Sequence, residues 1–176
     1  MKEERPIREG LRQLPIRPVY LVSMEHQGRK NIITIGMFAF FSGNPSLVGV
    51  GIAPKRYSYD LIRKSREFVV NVVDEGLIEA VRLCGEKSGR DSDKFKLAGL
   101  TAVKGVKVAA PYIEESPVNI ECKVAQEINA GDHVWFIGEV QATHLTQGYD
   151  WKQGLLFKWV EKDGFYYKVG KQIQKH

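Results

Sequence analysis

Short β-branched and aromatic runs follow one another in this chain, joined by connections of hairpin length. That succession narrows the accessible folds more than any other feature. Val19 to Met24 is β-rich, His26 to Lys30 supplies a turn, and Asn31 to Ile35 is β-branched again, so the segment reads as a hairpin. His26 then falls in the turn as an exposed residue rather than a ligand. Leu47 to Ala53 has a buried-strand pattern, with Gly49 and Gly51 on one face, bare for a flat ligand or for another packed element. Phe68 to Val73 is a clear strand. Val118 to Ile128 alternates, with Val118, Ile120, Cys122 and Val124 on one face, which makes Cys122 a core thiol. His133 to His144 is a long strand, Thr101 to Val108 an edge strand or ribbon, and Phe165 to Val169 a last short strand after a Lys162-Asp163-Gly164 turn.

Helical spacing is confined to short pieces. Leu77, Ile78, Val81 and Cys84 share a helical face. Asp60 to Arg66 reads as a helix with Ser58 as N-cap. A third helix carries Lys94, Phe95, Leu97 and Ala98, with Asp91 or Ser92 as cap and Gly99 as stop. The total is about seven strands and two or three short helices, without regular β-α-β alternation. The predicted fold is mainly β, an antiparallel barrel or sandwich rather than a doubly wound sheet.

At 176 residues with 43% apolar side chains, the chain has material for one domain without disulfide or metal support. We read 1–176 as that domain, with 1–16 a polar tail over the surface and 149–176 an aromatic and basic extension. The charge is 26 basic against 21 acidic residues, and the excess is spread except over Lys162 to His176. A nucleic-acid binder gathers its cations on one face, so attraction of small anions is the preferred reading. The two cysteines form no framework and no zinc spacing. The segment Met1 to Gly10 has no apolar signal core, and the longest apolar run, Ile32 to Phe41, is too short to span a membrane. The expectation is a cytoplasmic protein with reduced thiols and no membrane or nucleic-acid partner.

The least generic stretch is Cys84 to Phe95, in which Cys-Gly-Glu-Lys leads into Ser-Gly-Arg-Asp and then Asp-Lys-Phe. Ser88 and Gly89 permit tight turning and close backbone approach. Arg90 and Lys94 bring cations, and Ser88 and Ser92 bring hydroxyls, so the loop reads as an anion grip; pairing of Lys94 with Asp91 or Asp60 is the alternative. Gly36 to Pro45 is apolar, lacks a period of two and ends in turn-formers, so it reads as a loop rich in Phe. No nucleophile–base set, GxSxG, GxGxxG or P-loop is present, and the four histidines lack metal spacing. The parts suit a cofactor with a phosphate at one end and a flat heteroaromatic ring at the other, which carries the chemistry itself.

Several segments in order carry a resemblance: Arg17-Pro18-Val19-Tyr20-Leu21-Val22, Asn31-Ile32-Ile33-Thr34, Phe41 to Val48, Arg56 to Ile62, Glu67 to Val72, Cys84-Gly85 through Ser88-Gly89-Arg90-Asp91 to Asp93-Lys94-Phe95, and Gly131-Asp132-His133. The chain resembles the flavin reductase-like family of FMN-binding split barrels, which includes flavoredoxins and NAD(P)H-dependent ferric or flavin reductases. The resemblance implies a homodimer of split β-barrels that binds FMN, takes electrons from NAD(P)H and passes them to a small acceptor, or, as a flavoredoxin-type carrier, exchanges them with a redox protein partner. It implies that Asn31 and Thr34 lie beside the flavin, that the loop through Phe40, Phe41, Ser42 and Asn44 runs along the ring, and that Arg56 and Ser58 sit at the phosphate end. Cys84, Ser88, Gly89, Lys94 and Phe95 would close the site, with Cys84 most simply a buried helix-end thiol. His133 would sit where a nicotinamide docks. The chain departs from the family pattern at Gly36-Met37-Phe38-Ala39, where a Trp or Ser is expected near the ring.

Overall fold

The computed structural model describes residues 2–160 and 163–170. Lys162 of the expected turn and the basic run from Lys171 to His176 lie outside these residues. In chain order the elements are α1 (Ile7–Arg12), β1 (Arg17–Pro18), β2 (Tyr20–His26), β3 (Arg29–Ile35), β4 (Phe38–Gly43), β5 (Ser46–Ile52), α2 (Tyr57–Ser65), β6 (Glu67–Val72), α3 (Ile78–Glu86), α4 (Lys94–Leu97), β7 (Ala102–Val103), β8 (Tyr112–Ile113), β9 (Val118–Ala130), β10 (His133–Leu145), β11 (Leu155–Val160) and β12 (Asp163–Lys168). Two 3-10 turns, Glu75–Leu77 and Trp151–Gln153, precede α3 and β11.

Seven strands form one antiparallel sheet in the order β3-β2-β6-β9-β10-β5-β4. Its edge strands β3 and β4 are consecutive in the chain and joined by only Gly36 and Met37, so the sheet must curl until its edges meet. They approach without pairing: Tyr20 of β2 packs on Phe38 of β4 with ring centroids 4.5 Å apart. The result is an antiparallel split β-barrel, as the resemblance implied; of the barrel and sandwich that the strand pattern left open, it is the barrel. Inside the curl lies one core, with Val22, Met24, Ile35, Val50, Phe68, Val70 and Phe136 beneath Leu61 and Ile62 of α2. On the outside of β2 and β3, Leu21, Ile32, Val81, Cys84 and Phe95 form a second core with α3 and α4. The chain therefore buries both faces of β2, which explains why its buried stretch from Leu21 to Met24 is apolar except for Ser23.

Several local expectations are corrected. The segment from Gly36 to Pro45 is an edge strand, β4, with a register shift between Phe40 and Ser42, because its backbone pairs with β5. At the bare face of Gly49 and Gly51 the second of the two expected readings holds, since Met37, Phe41 and Trp135 pack over the missing side chains. Thr101 to Val108 pairs over two residues only, Ala102 and Val103. The tail contains the short exposed helix α1. His26 ends a strand, and the two-residue turn is Gln27–Gly28, both at positive φ. Asp93, rather than Asp91 or Ser92, caps α4, its carboxylate accepting from Lys96 N. Cys122 is fully buried in the first core, as its alternation implied. The opposite face of β9 is buried as well: Asn119 joins a network around Asn71, and Glu121 lies under the loop before β8.

Candidate functional site

The unpaired seam of the barrel leaves a groove in two connected parts. The wider part, about 420 Å³, lies between the end of β3 and the end of β5, lined by Ile33 to Met37 and by Gly51 to Arg56, with Asp132 and His133 at its mouth. The narrower part, about 100 Å³, is lined by Asn31, the start of α2 and the loop from Cys84 to Arg90. Ile33, Lys55 and Arg56 line both. One part is walled largely by aliphatic side chains and backbone. The other gathers Lys55, Arg56, Lys87, Arg90 and Lys94 around hydroxyls and a helix start.

Local folding explains how each group arrives there. Arg56 occupies the N-cap of α2, so the first-turn amides and the positive end of the helix face the narrow part. Ser58 is not the cap expected for this helix. It lies inside the first turn, buried, and accepts a 2.8 Å hydrogen bond from Asn31 Nδ2. The Asn31 side-chain oxygen is buried without a hydrogen-bond partner among the described residues, and Gly89 sits against it so closely that a Cβ would overlap that oxygen. Ser88 shapes the turn: its hydroxyl accepts from Arg90 N and its carbonyl from Ser92 Oγ. Arg90 reaches across to Asp60 at 3.4 Å and lies over the Tyr57 ring, latching this loop to α2.

Lys94 is buried, and its ammonium donates to the carbonyls of Ile32 and Cys84, both at 2.8 Å. It pairs with neither Asp91 nor Asp60. Burial pushes its pKa down, opposed by Cys84 and reinforced by Arg56. It therefore joins β3 to the end of α3 beneath the groove. Cys84 is buried, and its thiol is pushed up to about 11 by burial, with Lys94 opposing, so it is no ready nucleophile. Phe95 packs in the second core beneath the loop. Thr34 lines the wide part, but its hydroxyl donates to Val81 O at 2.5 Å.

At the other end, His133 Nδ1 lies 2.6 Å from Asp132 Oδ1. That hydrogen bond, the His133 charge and, less, Lys55 hold the Asp132 carboxyl below its usual range. The structure does not bring Phe40, Phe41, Ser42 and Asn44 to this chain's groove. Phe40, Phe41 and Ser42 lie on the edge strand β4 and Asn44 in the turn after it, with Phe41 set edge-on to Trp135 at 6.0 Å. Of the segment from Gly36 to Asn44, Gly36 and Met37 line the groove of this chain. Lys55, Lys87 and Asp132 were missed as lining residues; the sequence signals were a Pro-Lys-Arg start to a helix and the Gly-Asp-His turn. Among the described residues no His, Cys, Asp and Glu cluster could hold a metal, and no helix is long and apolar enough to cross a membrane.

The model of the flavin reductase like domain matches residues 12–159. The chain belongs to that family. Members of this flavin reductase-like family that resemble it include a protein of Pyrococcus abyssi, 39% identical over 76% of this chain and 77% of its own. Another is the NADH:riboflavin 5'-phosphate oxidoreductase of Streptomyces pristinaespiralis, 26% identical over 74% and 72%. Among solved structures, the flavoredoxin of Desulfovibrio vulgaris (Miyazaki F) superposes with a TM-score of 0.84 at 27% identity, over 98% of this chain and 97% of that one. The family and the split-barrel fold agree.

Proposed function

We propose that the protein is a cytoplasmic, homodimeric FMN-dependent oxidoreductase that accepts hydride from NAD(P)H and delivers electrons to a small acceptor such as free flavin or a ferric chelate. The observation that carries this reading is the division of one groove into a cation-lined end and an aliphatic end. The residues present fit the cofactor. A phosphate suits the first turn of α2 with Arg56, Lys55, Ser88 and Lys87, where helix amides, hydroxyls and cations converge. The unpartnered Asn31 oxygen and the glycine beside it fit a ligand passing close to backbone. When bound, the flavin supplies hydride acceptance and one- or two-electron release.

The chain's own residues would bind, orient and shield. Arg56 and Lys55 hold the anionic end and attract anionic nucleotides. Ile33, Ile35, Met37 and Ile52 exclude water from the wide part, which favours hydride transfer over leakage. Asp132 keeps His133 turned at the mouth, with Nδ1 engaged and Nε2 left for a nicotinamide amide. The homodimer reading rests on the outer face of the sheet beside the groove: Met37, Phe41 and Trp135 cover the glycines of β5, and Phe40 is 70% exposed on an edge strand.

The similarity to a flavoredoxin favours a second reading, in which FMN is bound and electrons arrive from a redox protein rather than from NAD(P)H. Anaerobic mixing of the FMN-loaded protein with NADPH or NADH separates the two. Rapid loss of the flavin colour supports the enzyme; an unchanged spectrum supports the carrier. Failure to take up FMN at all would refute both.

A further inference from the structure

The N-terminal arm carries an apolar stripe that no other described residue covers. Ile7, Leu11 and Leu14 are 82%, 59% and 51% exposed, and α1 buries no residue. Ile7 and Leu11, four residues apart, share one face of α1, and Leu14 follows just past its C-cap Gln13, in a turn closed by Leu14 N donating to Leu11 O. A helix of six residues has no independent stability in water, because nucleation costs more than so few hydrogen bonds return. A surface outside the arm must hold it.

The chain itself contains a fitting receptacle. A cavity of about 400 Å³, separate from the groove, lies where the arm joins the barrel and includes Val19, Tyr20, Val73, Val118, Trp151 and Leu155 among its walls. Its lining is mostly apolar, and Trp151 stands 67% exposed at it. Asp74 and Asp150 place negative charge beside Tyr149 in its wall, and Arg8 and Arg12 flank the stripe on the arm. The arm does not enter the cavity of its own chain: β1 ties Arg17 and Pro18 to Phe157 and Leu156, and residues 2–15 are exposed.

We propose that the arm is exchanged between two copies of this chain, the stripe of Ile7, Leu11 and Leu14 docking in the second copy's cavity at Trp151 with Arg8 and Arg12 facing Asp74 and Asp150. Because each copy carries both stripe and receptacle, a two-fold pair satisfies both at once. This deepens the homodimer reading above and rests on it.

The test uses two single variants of the full chain, Leu11→Cys and Trp151→Cys, co-expressed with distinguishable tags and oxidised with diamide. The native Cys84 and Cys122 are buried and do not compete. A disulfide-linked heterodimer is expected, since neither variant can form the bond within itself. In sedimentation, Leu11→Asp is expected to raise the dimer dissociation constant at least tenfold. A wild-type protein that dimerises, with no heterodimer trapped and with Leu11→Asp within twofold of wild type, overturns the exchanged arm and leaves the dimer standing. A wild type that remains monomeric at every concentration overturns both.

Discussion

Replacing Gly89 by alanine is expected to weaken FMN binding by ten- to a hundredfold while leaving the fold intact. Gly89 does not use positive φ, so alanine carries no backbone strain there. The added methyl would instead overlap the Asn31 side-chain oxygen and lie 2.6 Å from its Cγ, against ordinary contacts of 3.4 Å or more. Asn31 cannot retreat: it is buried on β3 and its Nδ2 is held by Ser58. Forcing it to move would break a buried hydrogen bond, at about 1–3 kcal/mol. The loop around Gly89 is largely exposed and latched by the exposed pair Arg90–Asp60, worth under about 1 kcal/mol. The loop should yield first. Its displacement takes the Ser88 hydroxyl and the Arg90 guanidinium off the narrow end of the groove. Losing one hydrogen bond to a charged phosphate costs about 1.5–3 kcal/mol, which gives the stated range at 1.4 kcal/mol per decade. Titration of flavin fluorescence with the apoprotein reads the affinity, and thermal unfolding of the apoprotein reads the fold. A dissociation constant within twofold of wild type, with an unchanged midpoint, would refute this placement of the phosphate end.

Arg56→Gln should lower affinity for FMN at least tenfold and leave that for riboflavin within about twofold, because only FMN carries the phosphate that the guanidinium meets; parallel titrations with both flavins check it. Lys94→Met should destabilise the apoprotein by about 2–4 kcal/mol in urea, since it leaves the carbonyls of Ile32 and Cys84 unpaired in a buried place; unchanged apoprotein stability with lost FMN binding would instead mark Lys94 as a direct phosphate ligand. Burial pushes the Glu121 carboxyl up, but the N–H groups of Val106, Lys107 and Val108, together with His144, outweigh it and hold the pKa below the usual value. A depressed native pKa adds stability above the unfolded value of about 4.3, and this is lost as pH falls through the native one. Glu121→Gln should therefore cost about 2–4 kcal/mol at pH 7, and the gap to wild type in urea midpoint should shrink below about pH 4.

The barrel was legible because strand signals are local: alternation from Val118 to Val124 and the β-branched run from Phe68 to Val73 need no knowledge of the rest of the chain. What escaped was set by distant partners. Ser58 has the chemistry of a cap, yet Asn31, 27 residues away, draws it inward. Gly49 and Gly51 read correctly as a bare face, but only the pairing of β4 with β5 places Met37 and Phe41 over it. Glu121 falls on the polar face of an alternating strand, which reads as solvent-facing and does not mark its partners, three loop amides 13 to 15 residues before it. At the site, hydroxyls, glycines and cations in Arg56 to Ser58 and Ser88 to Lys94 pointed to the narrow part of the groove. The stretch from Phe40 to Asn44 stands apart from the groove of its own chain, on an exposed sheet edge and the turn that follows it. Lys94 carried the right charge for a phosphate, but its ammonium is committed to backbone carbonyls.

The central claim is that one groove, basic at one end and aliphatic at the other, holds FMN and admits a nicotinamide beside it. Its most direct test is the visible spectrum of the FMN-loaded protein in the absence of oxygen, followed after rapid mixing with NADPH and, separately, with NADH. The account predicts that the yellow band bleaches with at least one of them, faster than for free FMN, and returns when free flavin or a ferric chelate is added. A spectrum unchanged by either nucleotide would contradict it.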